Sequence, residues 1–382
     1  MLLAFFIFTA LLLLAHAILI EKYRYWFLKI KPFLIKKDEV SVTKFSIIIP
    51  ARNEAGNIEA CIKSILNQNY PLNLFEIVVV DDYSTDTTPD IVRNMQKEYD
   101  NLHLIQLEKL LQQKQINSYK KKAIEFAIQK ATGKFIATTD ADCILPVNWL
   151  QSFDTYIQKH KAVFIAGPVR FQDSGSFVSK FQCLDFMSLQ GITAAAVGAG
   201  FHSMCNGANL AYSKKVFIEV GGFKGIDNIA SGDDMMLMHK IYKLNKKGIG
   251  FLYSKDAVAL TKPMPTWKDF FNQRIRWASK GDKFDDKRII TVLALVYLLN
   301  VSFIAVPIIA FWYGKLWVWW AIMFLVKVLI ELRFMWPVAN FFNQKTMLWW
   351  FPVMQPFHIV YTVVAGWLGK FGTYNWKGRK VK

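Results

Sequence analysis

Hydrophobic and polar positions divide the chain into three regions. Residues 2–20 form an almost uninterrupted apolar run, which as a helix would be about 28 Å long and would match the hydrocarbon thickness of a bilayer. Residues 44 to about 284 alternate between short apolar runs and polar segments, and longer apolar runs return after residue 286. The pattern predicts a soluble domain between membrane-spanning helices.

The N-terminal apolar run predicts a membrane span, and the alternative is a cleaved signal peptide. A signal peptide would need basic residues before the run and a small-residue cleavage site after it, and the sequence has neither. Positive charge after the run predicts that the next domain lies in the cytoplasm. The basic residues there are Lys22, Arg24, Lys29, Lys31, Lys36 and Lys37. We expect His16, inside the run, either to be tolerated there or to pack against a neighbouring helix, and we assign it no function.

Three apolar segments lie near the C-terminus. Residues 289–312 and 316–336 are predicted to span the membrane. Residues 347–368 are long enough to span, but Pro352 and Pro356 predict a broken, re-entrant or interfacial segment. The basic tail favours a cytoplasmic end for the chain, which agrees with an incomplete last span.

These patterns divide the chain into six predicted parts. They are an N-terminal transmembrane helix (1–21), a basic juxtamembrane linker (22–43), a cytoplasmic catalytic domain (44–266), an amphipathic interface helix (267–286), a C-terminal transmembrane region with two spans and a proline-broken third segment (287–369), and a basic tail (370–382).

Within the soluble region, apolar runs typical of strands alternate with amphipathic helical patterns. Strands are predicted at 45–49, 75–80, 103–107, 135–139 and 162–167, and helices at 58–66 and 120–130. This alternation is typical of an α/β fold with a mostly parallel sheet. Because the carboxyl ends of parallel strands share one edge, the polar residues that follow the strands are predicted to lie together.

Asp140 and Asp142 follow the strand at 135–139 directly. Two carboxylates at a strand end suit a hard divalent cation, Mg²⁺ or Mn²⁺, which keeps several waters and takes further ligands from a substrate diphosphate. Such an ion would neutralise charge on a departing nucleotide. The ordinary alternative is a chance pair of acids in a loop or a helix cap.

A nucleotide would be held without a glycine-rich motif. The chain contains neither G-x-G-x-x-G nor G-x-x-x-x-G-K-[ST], so the classical dinucleotide and P-loop sites are not predicted. Asp81 and Asp82, after the second strand, could accept hydrogen bonds from a base and ribose. A lysine at the start of the helix before Asp140 could reach a diphosphate, and the candidates are Lys120, Lys121 and Lys122. A solvated basic helix end is the alternative.

The second half of the soluble region supplies acceptor-side candidates. Asp233 and Asp234 precede an apolar helical pattern, where an acid is ordinarily a helix cap. The chemical alternative makes Asp234 a general base that takes the proton from an attacking hydroxyl. In the amphipathic segment, Gln273, Arg276 and Trp277 stand at Q-x-x-R-W spacing, which suits sugar stacking and diphosphate binding as well as a plain membrane anchor.

Charge and composition favour a membrane protein over a nucleic-acid binder. The formal net charge of +18 is compatible with either class, but 53% of residues are hydrophobic and the lysines cluster beside the apolar spans. The four cysteines are widely separated, so neither a disulfide framework nor a zinc site is predicted. They are Cys61, Cys143, Cys183 and Cys205.

Five motifs taken together resemble a known family. SIIIPARNE, DDYSTDTT, TTDAD, SGDD and QRIRW occur in the order and approximate spacing of the membrane-bound family 2 glycosyltransferases, which include cellulose, chitin and hyaluronan synthases and, more distantly, ceramide glucosyltransferases. The resemblance covers residues 44–284, and WKGR at 376–379 is similar to many bacterial members. It implies a GT-A fold and inverting transfer of a hexosyl group, usually from a UDP-sugar.

The resemblance also implies roles for particular residues. Asp82, with Asp81 beside it, matches the uracil-side aspartate, and Lys120 or Lys121 matches the diphosphate lysine. Asp140 and Asp142 match the ribose and metal aspartates, Asp234 matches the catalytic base, and Gln273, Arg276 and Trp277 match the acceptor and diphosphate end. The chain departs from the family in having Asp233 where Glu is more frequent, and in having fewer spans than polymer-secreting synthases.

The sequence therefore leads to one preferred function and two alternatives. The preferred one is a metal-dependent glycosyltransferase of the inner or plasma membrane, with a cytoplasmic catalytic domain, that transfers a sugar from a nucleotide sugar to a lipid or lipid-linked acceptor in cell-envelope glycoconjugate synthesis. The first alternative is a processive polysaccharide synthase. The second is a non-catalytic nucleotide-sugar-binding subunit of an export complex. Nucleic acid is not an expected partner.

Overall fold

A seven-stranded sheet organises the middle of the molecule. The computed structural model describes residues 2–36, 39–111, 118–201, 204–227, 229, 231–281, 286–372, 374–376 and 379–381. The strands are β1 (Phe45–Ala51), β2 (Phe75–Asp81), β3 (Leu102–Gln106), β4 (Phe135–Thr138), β5 (Phe164–Ala166), β6 (Val169–Phe171), β7 (Leu210–Ser213), β8 (Ile249–Phe251), β9 (Ala259–Thr261), β10 (Tyr374–Trp376) and β11 (Arg379–Val381).

The main sheet is mostly parallel, as the alternating pattern predicts. Its strand order is β3-β2-β1-β4-β7-β5-β8, and only β7 runs antiparallel to its neighbours. Two smaller pairs, β6 with β9 and β10 with β11, lie outside it. The predicted strands agree with the structure to within one or two residues at most ends. This sheet order places the ends of β2, β1 and β4 side by side.

Both faces of the sheet are covered, which explains why its strands are continuously apolar. Alternate residues of β1 and β2 enter two separate hydrophobic clusters. Ile48, Val78 and Val80 face one cluster, whereas Ile47 and Val79 face the other. Every residue of β2 is buried. The four cysteines are also buried, as free thiols.

Thirteen α-helices of the described residues surround the sheet and extend beyond it. They are α1 (Leu2–Lys29), α2 (Ile58–Leu66), α3 (Thr88–Met95), α4 (Leu107–Leu111), α5 (Tyr119–Lys130), α6 (Trp149–His160), α7 (Phe177–Gly198), α8 (Lys214–Glu219), α9 (Asp233–Leu244), α10 (Trp267–Ala278), α11 (Lys287–Ala310), α12 (Leu316–Phe341) and α13 (Phe351–Phe371). Residues 282–285, at the end of the predicted amphipathic segment, lie outside the described residues.

The long apolar helices α1, α11 and α12 pack together into a bundle. Within the described ranges, two helices are long and apolar enough to cross a membrane, Leu3–Lys29 and Lys287–Ala310. The predicted span at 316–336 is a continuous helix, α12, but it carries Lys327, Glu331 and Arg333. His16 packs against α12, since its Nε2 lies 2.9 Å from Glu331 Oε1.

Helix α7 connects the bundle to the sheet domain and was not predicted. It lies against α12 so closely that a Cβ on Gly191 would come within 2.6 Å of Val338 Cγ2. Most of its residues are buried, including Asp185. A helix that is buried on nearly all sides lacks the one-sided apolar pattern by which amphipathic helices are recognised.

Most of the last apolar segment forms one helix, α13, and its first residues lie in a short 3₁₀ helix, Lys345–Trp350, so the two prolines do not interrupt the α-helix itself. Pro352 lies in the first turn, where the missing N–H would be unpaired in any case. Pro356 removes one hydrogen bond near the start of the helix without ending it.

This segment begins and ends at contacts with the sheet domain and with α10. Just before it, the Phe342 carbonyl accepts a hydrogen bond from Arg170 and the Asn343 side chain accepts one from Lys255 in the sheet domain. Gln355 then bonds Glu331 near the middle of α12, and the helix returns until Gly369 packs against Ala278 at the end of α10. The segment therefore begins and ends on the side of the sheet domain.

Candidate active site

Charged side chains meet where β4 ends. Asp140 and Asp142 follow this strand, and α5 brings Lys120 to them, with Nζ 2.9 Å from Asp140 Oδ1. The first turn of α9 brings Asp233 to the same lysine, with its Oδ2 3.6 Å from Nζ. Four predicted site residues from three separate parts of the chain therefore lie together.

Gly207 lies at the centre of this charge cluster. A Cβ on Gly207 would lie 3.4 Å from Lys120 Nζ, 3.5 Å from Asp233 Oδ2 and 3.7 Å from Asp234 Oδ2. Its carbonyl accepts a hydrogen bond from Thr138 Oγ1 at 3.0 Å, which fixes it beside β4. The absence of a side chain at this position leaves the space between the charged groups open.

Asp234 makes the contacts of a helix-start residue and also faces the cavity. Its Oδ1 accepts a hydrogen bond from the Met235 N–H at 2.7 Å, and its Oδ2 accepts one from the Gly207 N–H at 3.0 Å. Both donors are backbone N–H groups, so the position of the carboxylate is fixed by the main chain. Both interpretations of this residue, a structural contact at the helix start and a chemical role, are compatible with its position.

Opposite charges set the protonation states in the cluster. Burial by itself lowers the pKa of Lys120, but the carboxylates of Asp140 and Asp233 outweigh it and hold that pKa above its usual value. Burial by itself raises the pKa of Asp233, but Lys120 and Lys280 outweigh it, and the pKa lies below its usual value. Lys120 is therefore a cation and Asp233 an anion at neutral pH.

Lys280 is a further cation at the site that the sequence did not reveal. It lies just beyond the end of α10, is 9% exposed and lines the same cavity as Asp234. Burial lowers its pKa, although Asp234 and Asp233 oppose that effect. Its position three residues after Trp277 is the only signal in the sequence, and a lysine after a helix end is common.

Lys121 does not enter the cavity. Its Nζ donates hydrogen bonds to the carbonyl oxygens of Ile226 and Ile229, both at 2.6 Å, and of Ser231 at 3.1 Å. Burial lowers its pKa to about 8. Of the two predicted diphosphate lysines, the structure brings Lys120 to the aspartates, whereas Lys121 supports the loop before α9. Lys122, the third candidate, pairs with Glu125 at 2.9 Å.

Asp81 and Asp82 lie at the same sheet edge but outside this cavity. Both are buried, and Asp81 Oδ1 accepts a hydrogen bond from the Ser84 N–H at 3.3 Å. Burial raises the pKa of Asp81. Strand β1 separates β2 from β4, so these acids lie about 10 Å from the end of β4 across the sheet.

Helix α10 brings the Q-x-x-R-W residues to the cavity, and the neighbouring Arg274 contacts two of them. Gln273, Arg276 and Trp277 all line it. The Gln273 Oε1 accepts a hydrogen bond from Arg274 Nη1 at 2.7 Å, and the Arg274 guanidinium stacks over the Trp277 ring at 4.2 Å from its centroid.

Arg274 is in turn fixed by a carboxylate of α7. Its Nε and Nη2 donate to Asp185 Oδ2 at 3.0 and 2.7 Å, and both side chains are almost fully buried. The Tyr361 hydroxyl of α13 donates to the other oxygen of Asp185. This contact set joins α7, α10 and α13, and it was missed because its members are far apart in the sequence.

The acidic residues of the site supply only some of the ligands that a divalent cation needs. Within the described residues, no group of three or more His, Cys, Asp or Glu side chains is arranged to bind a metal. Asp140 and Asp142 offer hard carboxylate oxygens, which fit Mg²⁺ or Mn²⁺ when a substrate supplies further oxygen ligands.

One cavity of about 890 Å³ joins these residues to the helix bundle. Its sheet-side end is lined by Lys120, Asp140, Asp142, Asp233 and Asp234. It extends between α1, α11, α12 and α13, where most lining residues are apolar. A volume of this size accommodates a ligand larger than a single sugar.

Comparison with protein families identifies the chain. A model of glycosyl transferase family 2 matches residues 46–221, and a model of glycosyl transferase family group 2 matches residues 135–368, more than half of the chain. The chain belongs to glycosyltransferase family 2. The motif-based resemblance to this family is thereby confirmed at the level of the family, and the cavity at the end of β4 is its candidate active site.

Several curated proteins are similar to this family 2 glycosyltransferase. It is 26% identical over 222 residues to glycosyltransferase AglE of Haloferax volcanii. The aligned region covers 58% of this chain and 67% of that protein. It is 24% identical over 266 residues to the poly-β-1,6-N-acetyl-D-glucosamine synthase of Staphylococcus epidermidis. The aligned region covers 67% of this chain and 60% of that protein. The chain therefore spans roughly two thirds of the length of these relatives.

A solved structure shows the same fold over almost the whole chain. The mannosyltransferase PcManGT from Pyrobaculum calidifontis, in complex with GDP-Man and Mn²⁺, superposes with a TM-score of 0.58 at 18% identity. The match covers 97% of this chain and 99% of that one. The GT-A fold predicted from the sequence is confirmed.

Proposed function

We propose that this family 2 glycosyltransferase is a membrane enzyme that transfers a sugar from a UDP-sugar to a lipid or lipid-linked acceptor in cell-envelope glycoconjugate synthesis, with inversion at the anomeric carbon. The observation that carries the proposal is the single cavity that joins the charge cluster at β4 to the apolar helix bundle. A donor with a diphosphate suits the first end, and a lipid suits the second.

The donor would lie along the edge of the sheet. Asp81 and Asp82 would accept hydrogen bonds from the uracil, and the diphosphate would extend toward Lys120, which the neighbouring carboxylates keep protonated. Arg276 and Lys280 supply further positive charge from the other wall of the cavity. A divalent cation, Mg²⁺ or Mn²⁺, held by Asp140 and Asp142 would neutralise charge on the departing nucleoside diphosphate.

Asp234 would act as the general base. Its carboxylate would take the proton from the acceptor hydroxyl as that oxygen bonds to the anomeric carbon and the bond from that carbon to the diphosphate breaks. Attack from the face opposite the leaving diphosphate inverts the anomeric configuration. Asp233, paired with Lys120, would orient that lysine toward the leaving group. Trp277 would stack on the acceptor sugar or headgroup.

The acceptor would enter from the bilayer. Helices α1 and α11 have the length and apolarity of membrane spans, and they line the cavity together with α13. The basic residues after α1 support a location in the inner or plasma membrane with the catalytic domain at its cytoplasmic face.

A processive polysaccharide synthase is the second candidate. Similarity to the poly-β-1,6-N-acetyl-D-glucosamine synthase favours it. A non-catalytic binding subunit is disfavoured, because Asp140, Asp142, Asp234 and Arg276 are all present and line one cavity.

The products separate these candidates. Purified protein would be incubated with Mn²⁺ and a panel of radiolabelled UDP-sugars in vesicles of native membrane lipids, and the lipid extract and the insoluble material would be counted separately. One discrete labelled glycolipid is the expected product. Label in a long insoluble polymer would support the synthase, and label in neither fraction, despite nucleotide-sugar binding, would support the non-catalytic subunit.

A further inference from the structure

The inner part of the cavity, within the helix bundle, has a polar wall. Six polar side chains from four helices line it near the middle of α1, α11 and α12 and in the first half of α13: His16, Asn300, Lys327, Glu331, Gln355 and His358. We call this set the inner polar wall. Polar residues at this depth of an apolar bundle are costly and rare, and they ordinarily mark a functional site.

The charged members of the inner polar wall satisfy one another. Lys327 Nζ lies 2.7 Å from Glu331 Oε1 and 2.9 Å from Gln355 Oε1. Gln355 Nε2 donates to Glu331 Oε2 at 2.6 Å, and His16 Nε2 lies 2.9 Å from Glu331 Oε1. The one ammonium and the one carboxylate of this wall therefore pair with each other.

One ring nitrogen of each histidine and the Asn300 amide are left without partners. Across the described part of the chain, His16 Nδ1, His358 Nδ1 and both polar atoms of the Asn300 side chain are buried and make no hydrogen bond. Asn300 is 1% exposed and His16 is 4% exposed. A buried amide without partners costs free energy in the empty protein, and a ligand that both donates and accepts hydrogen bonds would recover it.

We propose that the inner polar wall binds a neutral, hydroxyl-rich group of the acceptor, such as a glycosyl unit. The inference rests on the proposed function and specifies its acceptor: the acceptor already carries a sugar when it enters the cavity. Hydroxyl groups donate and accept hydrogen bonds, as the imidazole nitrogens and the amide require. A phosphate only accepts and belongs with Lys120, Arg276 and Lys280 at the other end, and an acyl chain would leave Asn300 unpaired.

Retention of defined lipids tests the proposal without any donor. Full-length protein in a polyoxyethylene detergent would be mixed with dioleoylglycerol, its monoglucoside or dioleoyl phosphatidate, and bound lipid would be counted by native mass spectrometry. We expect the monoglucoside to be retained at least tenfold more than the other two. In Asn300→Leu this preference falls about tenfold, and Asn300→Ser, which supplies a hydroxyl that can donate and accept, recovers part of it.

The matched control is Ser302→Ala on the same helix. Ser302 is buried, bonds the Leu298 carbonyl at 3.0 Å and does not line the cavity, so its removal leaves glycolipid retention unchanged. We also expect Asn300→Leu to raise the unfolding midpoint of the lipid-free protein, because it removes an unpartnered amide. A purely structural Asn300 would lower that midpoint.

Several results would overturn the proposal. They are equal retention of the monoglucoside by Asn300→Leu and the wild type, stronger retention of phosphatidate, and retention of no lipid at all. Nucleotide-sugar binding is measured separately by calorimetry with UDP-sugar and Mn²⁺. Its failure alone would refute the proposed function, and its success beside unchanged lipid retention would refute only this inference.

Discussion

Lys120 and Lys121 are adjacent in the chain, but their ammonium groups lie in different environments. Neighbouring residues of an α-helix point about 100° apart, so only one of the pair can face the aspartates. Lys120 contacts Asp140 and Asp233, whereas Lys121 is enclosed by backbone carbonyls. The sequence predicted that a lysine of this helix reaches the cluster but could not show which one, because that depends on how α5 packs.

Substitution by methionine separates the two lysines. Lys120→Met should weaken UDP-sugar binding about tenfold or more and leave the unfolding midpoint nearly unchanged, since it removes a phosphate-binding charge. Lys121→Met removes the donor to three carbonyls, of which that of Ser231 is in a buried bond worth about 1–3 kcal/mol, and should lower the midpoint clearly. Calorimetry and thermal unfolding measure the two effects. An intact donor affinity in folded Lys120→Met would contradict this assignment.

The lowered pKa of Asp233 predicts that the protein loses stability in acid. Its folded pKa lies below the usual 3.8, so its ionised form contributes stability that is present above about pH 4 and is lost as pH falls toward the lowered pKa. Between about pH 5 and pH 3 the wild-type unfolding midpoint should fall more steeply than that of Asp233→Asn. The control is Asp100→Asn, which changes an exposed acid and should keep the wild-type slope. Equal slopes for all three proteins would show that Asp233 is not held ionised.

At the scale of elements, α7 determines the position of α10. The buried pair between Asp185 and Arg274 links the two helices, and the guanidinium of Arg274 stacks on Trp277. The sequence could place the Q-x-x-R-W residues on a helix near the membrane. It could not reveal their support, because Asp185 lies 89 positions before Arg274 and on a helix without a clear apolar face.

A double substitution tests this positioning role. Asp185→Asn alone leaves the Arg274 charge buried, which should cost about 3–5 kcal/mol of stability. Asp185→Leu combined with Arg274→Met should restore most of the unfolding midpoint, because apolar residues replace the buried pair. In this double variant the rate of sugar transfer to the acceptor should remain at least tenfold below the wild-type rate, because Trp277 loses its stacked partner. The affinity for the donor should be unchanged.

The surface pair Asp90 and Arg93 provides the control for that experiment. Both side chains are largely exposed, so Asp90→Asn should change neither stability nor transfer appreciably. Recovery of full transfer together with stability in the double variant would show that the Asp185 and Arg274 pair only stabilises the fold.

At the scale of the whole molecule, the contacts at the two ends of the last apolar segment predict the location of the C-terminus. The segment starts near Arg170 and returns to Ala278, so both of its ends lie beside the sheet domain. If that domain is cytoplasmic, a green fluorescent protein fused to the C-terminus should fluoresce, and an alkaline phosphatase fused there should be inactive. Active phosphatase would require α13 to cross the membrane completely.

The sequence predicted the sheet and the edge where the acids meet, because strand alternation and the parallel arrangement follow from local patterns. It did not predict the continuous α13, since Pro352 and Pro356 are locally disruptive and only their place near the helix start makes them tolerable. It allowed His16 to pack against a neighbouring helix but could not identify its partner. His16 and Glu331 meet only when α1 packs on α12, and no local pattern encodes that contact.

The central claim is that the charge cluster at β4 catalyses transfer, with Asp234 as its base. The most direct test is the rate of UDP release by purified protein with Mn²⁺ and its preferred UDP-sugar, in wild type, Asp234→Asn, Asp142→Asn and the control Asp100→Asn. We predict that Asp234→Asn lowers the rate about 10²- to 10⁴-fold with donor affinity kept, and that Asp142→Asn loses the response to Mn²⁺. Wild-type release rates in Asp234→Asn would contradict this account of the site.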